Sequence, residues 1–92
     1  MEKKVLYKII VKGRVQGVGF RWGAAKKARD LGITGFVRNL PDGSVCLEAE
    51  GSAKELDAFI GWCREGPGFG FVESVTADPL PPVGYTEFRI EH

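Results

Sequence analysis

Three features of this 92-residue chain predict an α+β sandwich with two helices on one face of an antiparallel sheet. Segments with strand and helix periodicity follow one another in the order β, α, β, β, α, β. A glycine-rich turn feeds the first helix, and a Pro-Asp-Gly turn joins the two adjacent strands.

The first strand is read from Val5, Tyr7, Ile9 and Val11, which alternate with Leu6, Lys8, Ile10 and Lys12 so that one face enters the core. Gly13 ends it, and Gly13 to Gly19 is too glycine-rich for regular structure and too short for a linker. Phe20, Ala24, Ala28 and Leu31 recur at helical spacing, with Gly32 as the stop, so the first helix begins near Phe20 or Arg21.

Ile33 to Leu40 and Ser44 to Gly51 form a hairpin around Pro41-Asp42-Gly43. Ser52 and Glu55 have the spacing of a capping box ahead of Leu56, Phe59, Ile60 and Cys63, and Gly66-Pro67 ends that second helix. Phe71 to Asp78 is the fourth strand. A proline-rich loop from Pro79 to Gly84 leads to a short edge strand, Thr86 to Ile90, with Phe88 and Ile90 inward. This order is the split βαβ arrangement of ferredoxin-like sandwiches, βαββαβ plus a short fifth edge strand, in a single domain spanning 1–92.

Composition narrows the function classes. Hydrophobic residues are 43% and charged residues 27%, as in an ordinary compact domain. Thirteen basic and 12 acidic side chains leave a net charge of +1, too little to favour nucleic acid or an anionic membrane, so any anion site must be local. The charged start, Met1 to Lys4, and the interruptions at Lys8 and Lys12 are unlike a signal peptide or a membrane span. Cys46 and Cys63 lack CxxC spacing and read as free thiols of a reducing, cytoplasmic setting. A monomer is the simplest assembly.

A glycine-rich turn that runs into a helix points backbone amides and the positive end of the helix dipole at one centre. Val15, Gln16, Gly17, Val18, Gly19 and Phe20 offer such a nest, and Arg21 adds a planar fork able to bind two phosphoryl oxygens. On the residues alone, the same loop also reads as a tight strand-to-helix turn with Arg21 a solvated first-turn side chain. It is neither a Walker A loop nor a dinucleotide fingerprint. Asn39 sits near the C-terminal end of the second strand, which runs parallel to the first and brings both C-terminal ends to the same edge. Its amide can hold a water without acting as a base; equally, it can cap the hairpin before Pro41.

Gly13-Arg14-Val15-Gln16-Gly17-Val18-Gly19-Phe20-Arg21, then Leu31-Gly32-Ile33-Thr34-Gly35-Phe36-Val37-Arg38-Asn39, then Asp42-Gly43-Ser44-Val45 closely resemble the acylphosphatase family. The likeness spans nearly the whole chain, and the capped second helix and Phe88-Arg89-Ile90 fit it too. Carried over by position, the resemblance implies that amides from Val15 to Phe20 cradle a phosphate, that Arg21 binds it, and that Asn39 orients the lytic water. The substrate implied is a small acyl phosphate, with inorganic phosphate or other anions as ligands of the loop. No cofactor is implied, and no His, Cys or carboxylate cluster has metal-ligand spacing. The loop addresses the phosphate alone and leaves the acyl group unspecified. Gly66-Pro67-Gly68-Phe69-Gly70-Phe71 departs from the family's usual Gly-Pro and following alanine, away from the expected site.

This chemistry needs little machinery. Phosphoryl transfer passes through a loose transition state, so positioning and electrostatics carry most of the catalysis, and a carboxylate already leaves readily. No general acid is required, in keeping with a single histidine, His92, at a position expected to be poorly ordered.

Two other readings compete. Pro67-Gly68-Phe69-Gly70-Phe71-Val72-Glu73-Ser74 matches much of the aromatic signature of RNA-recognition motifs, but it follows the second helix rather than preceding it and lacks the leading basic and closing aromatic residues. An anion-binding regulatory module of the same fold, like the domain that opens hydrogenase-maturation carbamoyltransferases, is the other. Trp22, Trp62, Tyr7 and Phe36 are dispersed over several elements and are expected in or near the core rather than as a stacking platform.

Overall fold

The computed structural model describes residues 3–68 and 70–92; Met1 and Glu2 of the charged start, and Phe69 of the aromatic segment, lie outside the described residues. The elements are β1 (Lys4–Arg14), α1 (Phe20–Leu31), β2 (Thr34–Asn39), β3 (Val45–Ser52), α2 (Ala53–Glu65), β4 (Phe71–Leu80) and β5 (Phe88–Ile90). The order matches the ferredoxin-like expectation, with strand order β4-β1-β3-β2-β5 in one sheet.

β1 pairs antiparallel with both β3 and β4, and β2 antiparallel with β3, so β1 and β2 run in the same direction on either side of β3. Only β5 departs from the antiparallel sheet that was expected: it joins β2 in parallel, making the sheet mixed. The reason lies in the connection. β4 and β5 occupy opposite edges, and β4 ends at Leu80, level with Leu6, Glu50 and Thr34 at the end of the sheet where β2 begins, so a chain that crosses there enters β5 in the direction of β2.

One row of the pairing, Ile9 to Leu47 to Val37 to Ile90, shows how the period-two pattern becomes a core. Ile9, Leu47 and Val37 are fully buried in the same cluster as Phe20, Ala24, Ala28, Leu56 and Phe59 from the two helices. Burial of each such large side chain contributes about 1.5–3 kcal/mol. Phe59 and Phe88 meet edge to face, their ring centroids 5.9 Å apart, and so tie α2 to the short β5.

Leu6 alternates with Val5 and Tyr7 and so lies on the face of β1 away from the helices, yet it is 1% exposed. The β4–β5 connection accounts for this. It passes over the open face opposite the helices, anchored on Glu50, which is Leu6's partner across the β1–β3 pair. The Glu50 carboxylate accepts from the amides of Val83 at 2.9 Å, Gly84 at 2.9 Å and Tyr85 at 2.8 Å, and Tyr85 Oη donates to Glu48 at 2.6 Å. A buried carboxylate is tolerable only with such donors around it.

The two helices begin differently. At α2 the capping box is complete: Glu55 N–H donates to Ser52 Oγ at 3.2 Å and Ser52 N–H to Glu55 Oε1 at 3.0 Å. At α1 the N-cap is Gly19, with no side-chain cap and no acidic residue in the first turn.

Candidate active site

The loop between β1 and α1 turns through two left-handed glycines, Gly17 at φ 75° and Gly19 at φ 82°. A side chain is disfavoured at both by the backbone itself, since nothing lies within 4 Å of a Cβ built there. Buried Val15 anchors one end of the loop and buried Phe20 the other, the latter packed at 5.4 Å on Trp62 of α2. The amides at the start of α1 have no side-chain acceptor, so the positive end of this helix stays available to an anion from outside the chain.

A cavity of about 220 Å³ opens at this point, lined by Val15, Gly17, Gly19, Phe20, Arg21, Trp22 and Asn39. Arg21 and Asn39, 18 positions apart in sequence, thus meet at one hollow. Of the loop residues expected at the site, Gln16 and Val18 are not among those that line it. Val18 packs toward the core. The Gln16 side chain donates from Nε2 to the carbonyls of Leu40 and Ser44, each at 2.8 Å, and so staples the loop to the β2–β3 hairpin beside Asn39. Nothing in the spacing of Gln16 signals this contact, because its partners lie 24 and 28 residues away.

Asn39 Oδ1 is buried and has no hydrogen-bond partner among the described residues. An acceptor left so costs about 1–3 kcal/mol, which is unusual enough in a native fold to point to a function. The hairpin does not need Asn39 as a cap. Its turn is closed by Leu40 N–H to the Ser44 carbonyl at 2.9 Å and by Asp42, which accepts from Ser44 Oγ at 2.6 Å and Ser44 N–H at 3.0 Å. Those bonds, the hydroxyl first, hold the Asp42 carboxyl below its usual value.

Arg21 is held from behind. Its Nη1 donates to the Glu91 carbonyl at 2.8 Å and stands 3.4 Å from His92 Nδ1. His92, expected to be poorly ordered and without a place at the site, therefore borders it. One helical face carries a second grip, with Arg29 Nη2 donating to the Phe88 carbonyl at 2.9 Å. The aromatic residues divide: Tyr7 and Trp62 pack against the core as expected, and Phe36 lies between Tyr85 and Arg38. Trp22 does not pack inward; it is 68% exposed at the rim of the cavity.

A ferredoxin-like α+β sandwich with one small hollow shared by its uncapped first helix, Arg21 and Asn39 is the class that the fold and the site define. The particular family is shown by comparison. The acylphosphatase family model matches residues 7–90, and the chain belongs to that family. It is 49% identical to the acylphosphatase of Methylococcus capsulatus over 83 residues, covering 89% of this chain and 90% of that protein. The solved acylphosphatase structure from Coxiella burnetii superposes with a TM-score of 0.92 at 35% identity, over 96% of this chain and 93% of that one. HypF of T. kodakarensis also matches, at 32% identity and a TM-score of 0.81 over 96% of this chain, but over only 12% of its own length. Among the described residues, no helix is long and apolar enough to cross a membrane.

Proposed function

We propose that this chain, an acylphosphatase by family and by fold, hydrolyses the carboxyl–phosphate bond of small acyl phosphates to a carboxylate and inorganic phosphate. The observation that carries the reading is the convergence of Arg21, the uncapped start of α1 and Asn39 on one cavity.

In this mechanism the amides of the 15–20 loop and the Arg21 guanidinium hold the three phosphoryl oxygens, matching the charge that spreads over them in the transition state. The side-chain amide of Asn39 holds a water and aims its oxygen at phosphorus. The water oxygen forms the new bond to phosphorus as the bond from phosphorus to the acyl oxygen breaks, and the electron pair leaves with the carboxylate. The water's proton passes to a phosphoryl oxygen. Preorganised donors of this kind need no rearrangement as charge develops. The grip of the Glu91 carbonyl on Arg21 limits the rotamers open to the guanidinium, so less freedom is lost when phosphate binds.

We further propose that the domain works as a monomer in the cytoplasm. Support comes from two unpaired thiols at Cys46 and Cys63 that suit a reducing compartment.

The test is hydrolysis of benzoyl phosphate in EDTA by the purified chain and its Arg21→Ala variant, corrected for spontaneous breakdown. Turnover that is metal-independent and lost in the variant supports the enzyme. No turnover above background in the native chain supports the second reading, an anion-binding module, which the likeness to a small part of HypF favours.

A further inference from the structure

We propose that Trp22 is the acyl subsite: its indole forms an apolar platform at the mouth of the cavity on which a planar or aromatic acyl group stacks while the phosphate sits in the loop. The proposal rests on the reading of the cavity as the phosphoryl site.

Size makes the first argument. At about 220 Å³ the hollow is smaller than the roughly 300 Å³ at which small-molecule pockets usually begin, so it suits a phosphoryl group and a water rather than a whole acyl phosphate. The acyl group, attached through the leaving oxygen, must then pass out over the rim.

The chemistry of the lining makes the second. Gly17 and Gly19 have no side chains, Val15 and Phe20 are 2% and 1% exposed, and Arg21 and Asn39 are polar. Trp22 is the one lining residue that offers a large apolar surface to solvent, at 68% exposure. It adjoins Arg21 in the first turn of α1, a rigid helix rather than a loop tip, so its Cα is fixed relative to the guanidinium.

Its exposure also has a local cause. Phe20 turns inward against Trp62, and a Cβ built on Gly23 would lie 2.9 Å from the Trp62 ring, so α1 is already in close contact with α2 on that side. Trp22 projects from the other side of the same turn. An indole left in water keeps its stacking face for a ligand, and such aromatic contacts add to binding about equally in the ground and transition states.

The expected signature is therefore a change in specificity carried by KM. kcat/KM is measured for benzoyl phosphate and acetyl phosphate with the native chain, Trp22→Ala and Trp22→Phe. In Trp22→Ala the ratio of benzoyl to acetyl kcat/KM falls about three- to tenfold, chiefly through a higher KM for benzoyl phosphate. Trp22→Phe restores most of the ratio because it keeps an aromatic face. An active native chain whose ratio is unchanged in Trp22→Ala overturns the Trp22 subsite and leaves the phosphoryl site standing. A native chain that cleaves neither substrate overturns the phosphoryl-site reading, and the subsite with it.

Discussion

Arg21 Nη1 donates to the carbonyl of Glu91 at 2.8 Å, a bond between residues 70 apart that joins the first turn of α1 to the chain beyond β5. That carbonyl occupies one donor of the five on the guanidinium, and His92 Nδ1 stands 3.4 Å from the same nitrogen. Loss of the guanidinium accordingly removes an anion donor and a link between two elements.

Arg21→Ala should lower kcat/KM for benzoyl phosphate by about 10²–10³-fold and weaken competitive inhibition by inorganic phosphate. Arg21→Lys should recover little of either, because a point charge cannot span two phosphoryl oxygens as the planar fork does. Steady-state kinetics with phosphate as inhibitor checks both.

Asn39→Ala should separate activity from stability. With the water unpositioned, kcat falls about 10²-fold or more while KM and phosphate inhibition change little. Because the variant removes a buried acceptor that lacks a partner, its urea midpoint should shift by no more than about 1 kcal/mol equivalent. Full activity in Asn39→Ala rules out the water-positioning role.

Gln16→Ala leaves the carbonyls of Leu40 and Ser44 without their side-chain donor. A loss of about 1–3 kcal/mol in urea denaturation is expected, together with a lower kcat/KM as the loop loosens from the strand that carries Asn39. Gln16→Glu, similar in shape but without the donors, should do no better.

Acid should act through Glu50. Burial alone would raise its pKa, but the amides of Gly84, Tyr85 and Val83, with Lys4 nearby, hold it below the ordinary glutamate value of about 4.5. A depressed folded-state pKa stabilises the fold above the unfolded value, and that stabilisation is lost as pH falls below about 4.5 toward the folded pKa. Urea midpoints followed from pH 7 to pH 3 should therefore fall more steeply for the native chain than for Glu50→Gln, which should already be less stable at pH 7.

Both thiols should be silent in the native state. Burial pushes Cys63 up to about 12 and raises Cys46 as well, so little thiolate is present at neutral pH. Titration with a disulfide reagent should show two reactive thiols only after denaturation, and the reaction rate in native buffer should track unfolding.

The features legible in the sequence are those made by neighbours in the chain. The alternation from Val5 to Val11, the helical spacing of Phe20, Ala24 and Ala28, the Ser52–Glu55 capping box and the Pro41-Asp42-Gly43 turn rest on contacts within a few residues, and each appears where it was read. The glycine-rich turn into α1 and the shared edge of β1 and β2 are legible for the same reason, since strand direction follows from element order, although β1 runs past Gly13 to Arg14, which pair with Val72 and Phe71 of β4 beyond a bulge. Tertiary structure decided what depends on distant partners. It set β5 parallel to β2, drew a strap over Leu6 by way of Glu50, turned the Gln16 side chain onto the hairpin, brought Glu91 and His92 to Arg21, and left Trp22 at the rim. Local periodicity carries no information on such contacts, because which backbone carbonyl or amide meets a side chain tens of residues away is settled only when the sheet closes and the layers pack.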